Sequence, residues 1–211
     1  MKNVMMCGSV LGLVAAGVLL GGAMMQEADH PSDQSTDKQA SAMSAEMMKA
    51  WQFYAEPGPG QARLAQRVGT WNVTLRHWPA PGKPAEEAKG TSRYKMTMGG
   101  RFLEQEYQSE WNDRKFVGWG LSGHNNKTEK YQFTWIDNMA TGMMQGSGVF
   151  DGDTLKWTGM GTDPLKGAMP IRGTETFDGT DHFVATMYTN GPDGAEFKMM
   201  ELTYDRANGD H

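Results

Sequence analysis

The sequence predicts an all-β protein: an up-and-down antiparallel barrel of about ten strands, with short helices before it. Three observations carry this. From residue 70 onward the chain is a succession of short runs in which apolar and polar residues alternate, the period of a strand with one face buried. The runs are separated by Gly99-Gly100, Asn112-Asp113, Asp151-Gly152, Asp178-Gly179 and Asp193-Gly194, residue pairs that tolerate the positive φ of tight hairpins. No helical periodicity interrupts them, so strands adjacent in sequence pair with each other, and about ten such strands close and remove both unpaired edges.

Composition agrees with one domain plus extensions. The 211 residues include 27 Gly, 7 Trp, 6 Tyr and 8 Phe, which suits a barrel rich in turns and large inward rings. The formal net charge is −5 and there is no Lys/Arg run, so the phosphate-neutralising surface of a nucleic-acid binder is missing.

The segments before the barrel read in turn. Lys2 precedes an uncharged stretch whose apolar part runs from Val10 to Leu20, followed by Gly21-Gly22-Ala23. This predicts a signal peptide over residues 1–23 and a periplasmic or secreted mature chain with no membrane attachment. The same stretch is long enough for the rival reading, a retained anchor. Cys7, the single cysteine, lies before the apolar part, so the mature chain has no disulfide and its core alone must hold it. Residues 24–43, polar and rich in Ser, Asp, Gln and Ala, predict a disordered tether. Residues 44–68 predict short helices: Ser44 as N-cap, Met47, Trp51 and Tyr54 as one stripe, a break at Pro57-Gly58-Pro59-Gly60, then Leu64 and Val68 on one side.

The barrel is expected over residues 69–206. Its strands are predicted at Thr70–Trp78, Gly90–Met98, Arg101–Trp111, Lys115–Gly123 and Lys130–Asp137. The others are predicted at Thr141–Phe150, Thr154–Gly161, Pro170–Phe177, His182–Thr189 and Glu196–Arg206. Alternation assigns the faces. Trp71, Val73, Leu75 and His77 share one side of the first strand. Glu104, Glu106 and Glu110 face out of the third, which turns Arg101, Leu103, Gln105, Tyr107 and Trp111 inward. Tyr131, Phe133 and Trp135 face in from the fifth strand, Leu155 and Trp157 from the seventh, Ile171, Glu175 and Phe177 from the eighth, and Met200, Leu202, Tyr204 and Arg206 from the last. An interior of aromatic rings dotted with polar groups describes a pocket rather than a solid core.

Gly69-Thr70-Trp71 at the start and Arg206 at the end resemble the structural signature of calycins, the lipocalins, fatty-acid-binding proteins and their relatives. The resemblance implies that Arg206 lies across Trp71 and closes the base of the barrel. More closely, the chain resembles a bacterial family of secreted domains of unknown function, distantly similar to nitrobindin. That likeness rests on Gly69-Thr70-Trp71-Asn72-Val73, Met98-Gly99-Gly100-Arg101-Phe102-Leu103, Phe116-Val117-Gly118 with Gly120 and Gly123, Trp135 with Asp137, and Asp151-Gly152. The chain departs from the family at His124-Asn125, where an aromatic-Asp pair is usual.

Other motifs have ordinary readings. Gly118, Gly120 and Gly123 spell G-x-G-x-x-G, but a dinucleotide site needs a helix after the third glycine and here a loop and strand follow. The glycines instead relieve crowding on a coiled strand. None of His77, His124 and His182 has a metal-ligand spacing to a second His or Cys. The 18 Met include the pairs Met47-Met48, Met143-Met144 and Met199-Met200; neighbours on a strand point to opposite faces, so the strand pairs are expected to line a cavity rather than converge on copper. No nucleophile elbow or triad is present.

The functional expectation is a binding barrel without chemistry or cofactor of its own. Its partner would be a small, partly apolar molecule with room for an anionic head, held by Arg101, Gln105, Tyr107, Trp135, Trp157 and Glu175. Arg101 and Glu175 either form a structural bridge or leave Arg101 as a fork for the ligand. Two alternatives stand beside this: a haem protein acting on reactive nitrogen species, which the likeness to nitrobindin implies with His182 as the late-strand ligand, and a structural domain whose barrel is filled by its own side chains.

Overall fold

The computed structural model describes residues 34–207 except residue 112. The predicted signal segment therefore lies outside the described residues. Two helices come first, α1 at Gln34–Ala55 and α2 at Pro59–Ala65. The start of α1 falls ten residues before Ser44, inside the segment whose polar composition predicts a disordered tether. Gln, Lys, Ala and Met are good helix formers, and their summed preference outweighs the scarcity of apolar residues there.

Pro59 opens α2, where its missing N–H costs nothing. Gln61 is buried and uses both ends of its amide: Oε1 accepts from the Gly58 N–H at 2.8 Å, and Nε2 donates to the His124 carbonyl at 2.8 Å. Leu64 is buried, whereas Val68, expected beside it, is exposed. The Asn126 amide donates to the carbonyls of Phe53 and Glu56 (2.9 and 2.8 Å) and so satisfies the end of α1.

Ten strands follow: β1 Gly69–His77, β2 Glu86–Thr97, β3 Phe102–Trp111, β4 Arg114–Asn125, β5 Lys130–Asp137, β6 Met144–Asp151, β7 Thr154–Asp163, β8 Gly167–Asp178, β9 His182–Asn190 and β10 Glu196–Arg206. Each pairs antiparallel with its neighbour in sequence, and β1 pairs with β10 from Trp71↔Arg206 to His77↔Met200, which closes the barrel. Several strands run further than local alternation indicates. β2 begins four residues before Gly90 and β8 three before Pro170, because a ladder continues as long as the partner strand supplies hydrogen bonds.

The glycines within strands make room for rings. A Cβ on Gly118 would lie 2.1 Å from the Trp135 ring, on Gly146 2.5 Å from Phe133, and on Gly173 2.1 Å from Trp157. Each ring packs against the bare backbone of the adjacent strand, the pairing by which aromatics cover strand glycines. Gly118-x-Gly120 is thus a seat for Trp135, not a phosphate cradle.

Candidate functional site

One end of the barrel is closed by an aromatic and ionic floor. Trp71 is only 1% exposed and its Nε1 donates to the Arg67 carbonyl at 2.8 Å. Phe183 packs edge-on to Trp71 (4.9 Å) and stacks between Phe177 (5.0 Å) and Tyr204 (4.1 Å). The Arg206 guanidinium lies 4.3 Å from the Trp71 ring centroid. Its N–H groups reach the carbonyls of Val68, Gln66 and Thr180 and the Asp181 carboxylate, at 2.7–3.0 Å. Arg206 therefore ties the segment entering β1 to the turn between β8 and β9.

Above this floor an internal cavity of about 430 Å³ runs through the barrel towards the β5–β6 connection. Its walls include Phe116, Tyr131, Phe133, Trp135 and Trp157. Around the far end stand Met139, Met143, Met144, Met169, Met187, Met199 and Met200. Both Met143-Met144 and Met199-Met200 contribute both members, contrary to strict alternation. Met143 precedes β6, and the β9–β10 register shifts between Lys198 and Met200, so each pair escapes the two-sided geometry of a regular strand.

A cluster of polar groups lies at the floor. Arg67, 6% exposed, reaches Glu175 Oε2 at 2.8 Å as a charge contact without an aligned N–H···O bond, and its guanidinium lies 4.9 Å from the Phe177 ring centroid. The Tyr94 and Tyr204 hydroxyls, Ser92 and Gln105 form one polar network at the floor. Gln105 Nε2 donates to Ser92 Oγ at 3.0 Å, closing the network. Burial pushes both phenols far above their ordinary value, and burial also raises those of Tyr107 and Tyr131. All four lining tyrosines are therefore neutral hydrogen-bonding groups at ordinary pH.

Of the residues expected to bind a ligand, Gln105, Tyr107, Trp135, Trp157 and Glu175 line the cavity. Arg101 does not. It stands outside the barrel, in the turn before β3, with its guanidinium donating to the carbonyls of Met98 and Gly99 (3.2 and 3.4 Å). Met98, Gly99 and Gly100 all have positive φ, so the turn leaves the pleat before Arg101 and breaks the alternation that would have turned it inward. The partner of Glu175 is Arg67, from the three-residue step between α2 and β1. Arg67 carries no strand periodicity, so only its closeness to Gly69-Thr70-Trp71 pointed towards it.

His182 faces outward with Nδ1 2.7 Å from Asp205 Oδ1, and no His or Cys is among the cavity-lining residues. The residues present do not fit haem held by a late-strand histidine. No cluster of three or more His, Cys, Asp or Glu that could hold a metal occurs among the described residues. Nor is any helix among them long and apolar enough to cross a membrane.

Residues 56–206 match a family described as a protein of unknown function, DUF1579. The chain belongs to that family. No curated protein matches it. Among solved structures, the DUF1579 barrel is similar to Rv2717c from M. tuberculosis, with 13% identity and a TM-score of 0.54 over 72% of this chain and all of that one. It is also similar to an S-type phycobiliprotein lyase, CPES, from Guillardia theta: 9% identity, TM-score 0.49, 71% of this chain and 93% of that one. A redesigned β-barrel has 18% identity and a TM-score of 0.39, covering 69% and 95%. The likeness to Rv2717c is one of fold.

Proposed function

We propose that the barrel binds a small, largely apolar molecule lengthwise in its cavity, with the ligand's polar end at the Arg67–Glu175 floor. The observation that carries this is the cavity itself: about 430 Å³, within the range of small-molecule sites, walled by aromatic and Met side chains, with the buried Arg67–Glu175 pair at one end. A barrel serving only as a scaffold gains stability by filling such a space, since an empty core costs packing energy. The Met-rich far end suits passage of ligands of varied shape, because thioether chains repack easily.

The test is binding of a neutral polycyclic probe to the full chain, followed by quenching of tryptophan emission and by calorimetry. Saturable, one-to-one binding is expected, with Trp135 and Trp157 quenched because both line the cavity. Replacing Gly161 by Phe, on the inward face of β7 between cavity-lining Ile171 and Met169, should abolish binding while the fold persists. Absence of saturable binding to the unmodified protein would overturn the reading.

A further inference from the structure

The charge pattern of the cavity restricts its occupant further. Arg67, Glu175 and Asp137 are the charged residues lining it. Arg67 is buried and already faces a carboxylate at 2.8 Å. Asp137, at the far end of β5, accepts from Trp135 Nε1 at 3.0 Å and from the Met139 N–H at 2.9 Å. The lining thus sums to one negative charge, and the single buried cation is neutralised where a ligand head would meet it. A fatty-acid or other carboxylate ligand would lose its hydration there and gain no free cation in return.

The same floor does offer hydrogen bonds to a neutral group. Glu175 keeps a side-chain exposure of 19%, against 7% for its partner, and lines the cavity, so its carboxylate retains acceptor capacity towards an occupant. Trp157, 4% exposed, sits at the next inward position of the wall, its indole packed against Gly173, two residues before Glu175 on β8. Its Nε1–H is a buried donor without a partner. An indole N–H can only donate and a carboxylate only accept, and a hydroxyl suits either, its oxygen taking a proton from the one or its own proton going to the other. The surrounding rings of Phe133, Trp135 and Tyr131 favour a flat aromatic body.

We infer that Glu175 is the specificity-determining residue of this cavity, and that it selects an uncharged, hydroxyl-bearing aromatic ligand over a carboxylate of the same shape. This rests on the reading of the cavity as a binding site. The test uses three probes of one ring system, 2-naphthol, naphthalene and 2-naphthoate, titrated at pH 7 into the unmodified full chain. 2-Naphthol should bind about tenfold or more tighter than naphthalene, the scale of a hydrogen bond to a charged group, and tighter still than 2-naphthoate. In Glu175→Gln, which leaves Arg67 as an unneutralised cation, 2-naphthoate should become the preferred probe. In Trp157→Phe, which keeps a ring on Gly173 but removes the donor, the advantage of naphthol over naphthalene should shrink several-fold. Equal affinity for naphthol and naphthalene, or a preference of the unmodified protein for naphthoate, would overturn the inference while leaving a binding cavity. Failure of all three to bind would instead overturn the cavity reading itself. The ranking on the unmodified chain decides the matter even if a variant does not fold.

Discussion

Glu175→Gln should destabilise the empty protein, and a second change at Arg67 should undo most of the loss. Arg67 is 6% exposed and its guanidinium lies 2.8 Å from Glu175 Oε2, so removing the carboxylate strands a cation in the barrel floor. Breaking a buried pair from one side costs about 3–5 kcal/mol. Two contacts soften this here: the guanidinium also lies 4.9 Å from the Phe177 centroid and 5.9 Å from that of Phe183, faces that attract a cation. We expect about 3 kcal/mol lost, the lower end of that range. Arg67→Met with Glu175→Gln removes both charges while keeping an unbranched apolar stem, and should return to within about 1 kcal/mol of the original protein. Urea unfolding of the four proteins, followed by tryptophan emission, gives the coupling. The Trp71 bond to the Arg67 carbonyl is untouched, since it uses the backbone. Additive losses in the double variant would refute the argument, because they would mean that each charge is stabilised by something other than its partner.

Trp71→Ala should cost about 3–5 kcal/mol by emptying a fully buried site under Phe183, and its loss should be non-additive with that of Arg206→Ala; a thermodynamic cycle in denaturant reads the coupling. Arg101→Gln should change neither probe affinity nor stability by more than about 0.5 kcal/mol, since the side chain is exposed and bonds only its own turn; a measurable loss of probe binding would contradict its placement. Alkaline pH should unfold the protein. Tyr94 and Tyr204 have phenols raised by burial, so above the usual phenol range near pH 10 the unfolded chain sheds protons that the folded chain retains, and stability falls as pH rises. Tyrosinate absorbance from these two should therefore appear only together with unfolding, and Tyr94→Phe should make the alkaline loss of stability shallower.

The all-β architecture, the number of strands and most of their faces were legible in the sequence, because a strand's inward residues recur every second position and its turns demand particular residues. Trp71, Gln105, Tyr107, Trp135 and Trp157 could be placed inside on that ground alone. What failed did so where the period breaks. Arg101 follows three consecutive positive-φ residues, and Met199 sits at a register shift, so counting by twos assigns each the wrong side. Arg67 lies in no strand, and nothing local says that its side chain enters the floor. Its position is decided by closure: pairing of β1 with β10 brings Trp71, Arg206 and the end of α2 together, and only then does Glu175, far along the chain, meet the guanidinium that neutralises it. Alternation fixes which way a side chain points. Which charge it meets across the barrel depends on the register of every strand between them, and that is a property of the closed sheet.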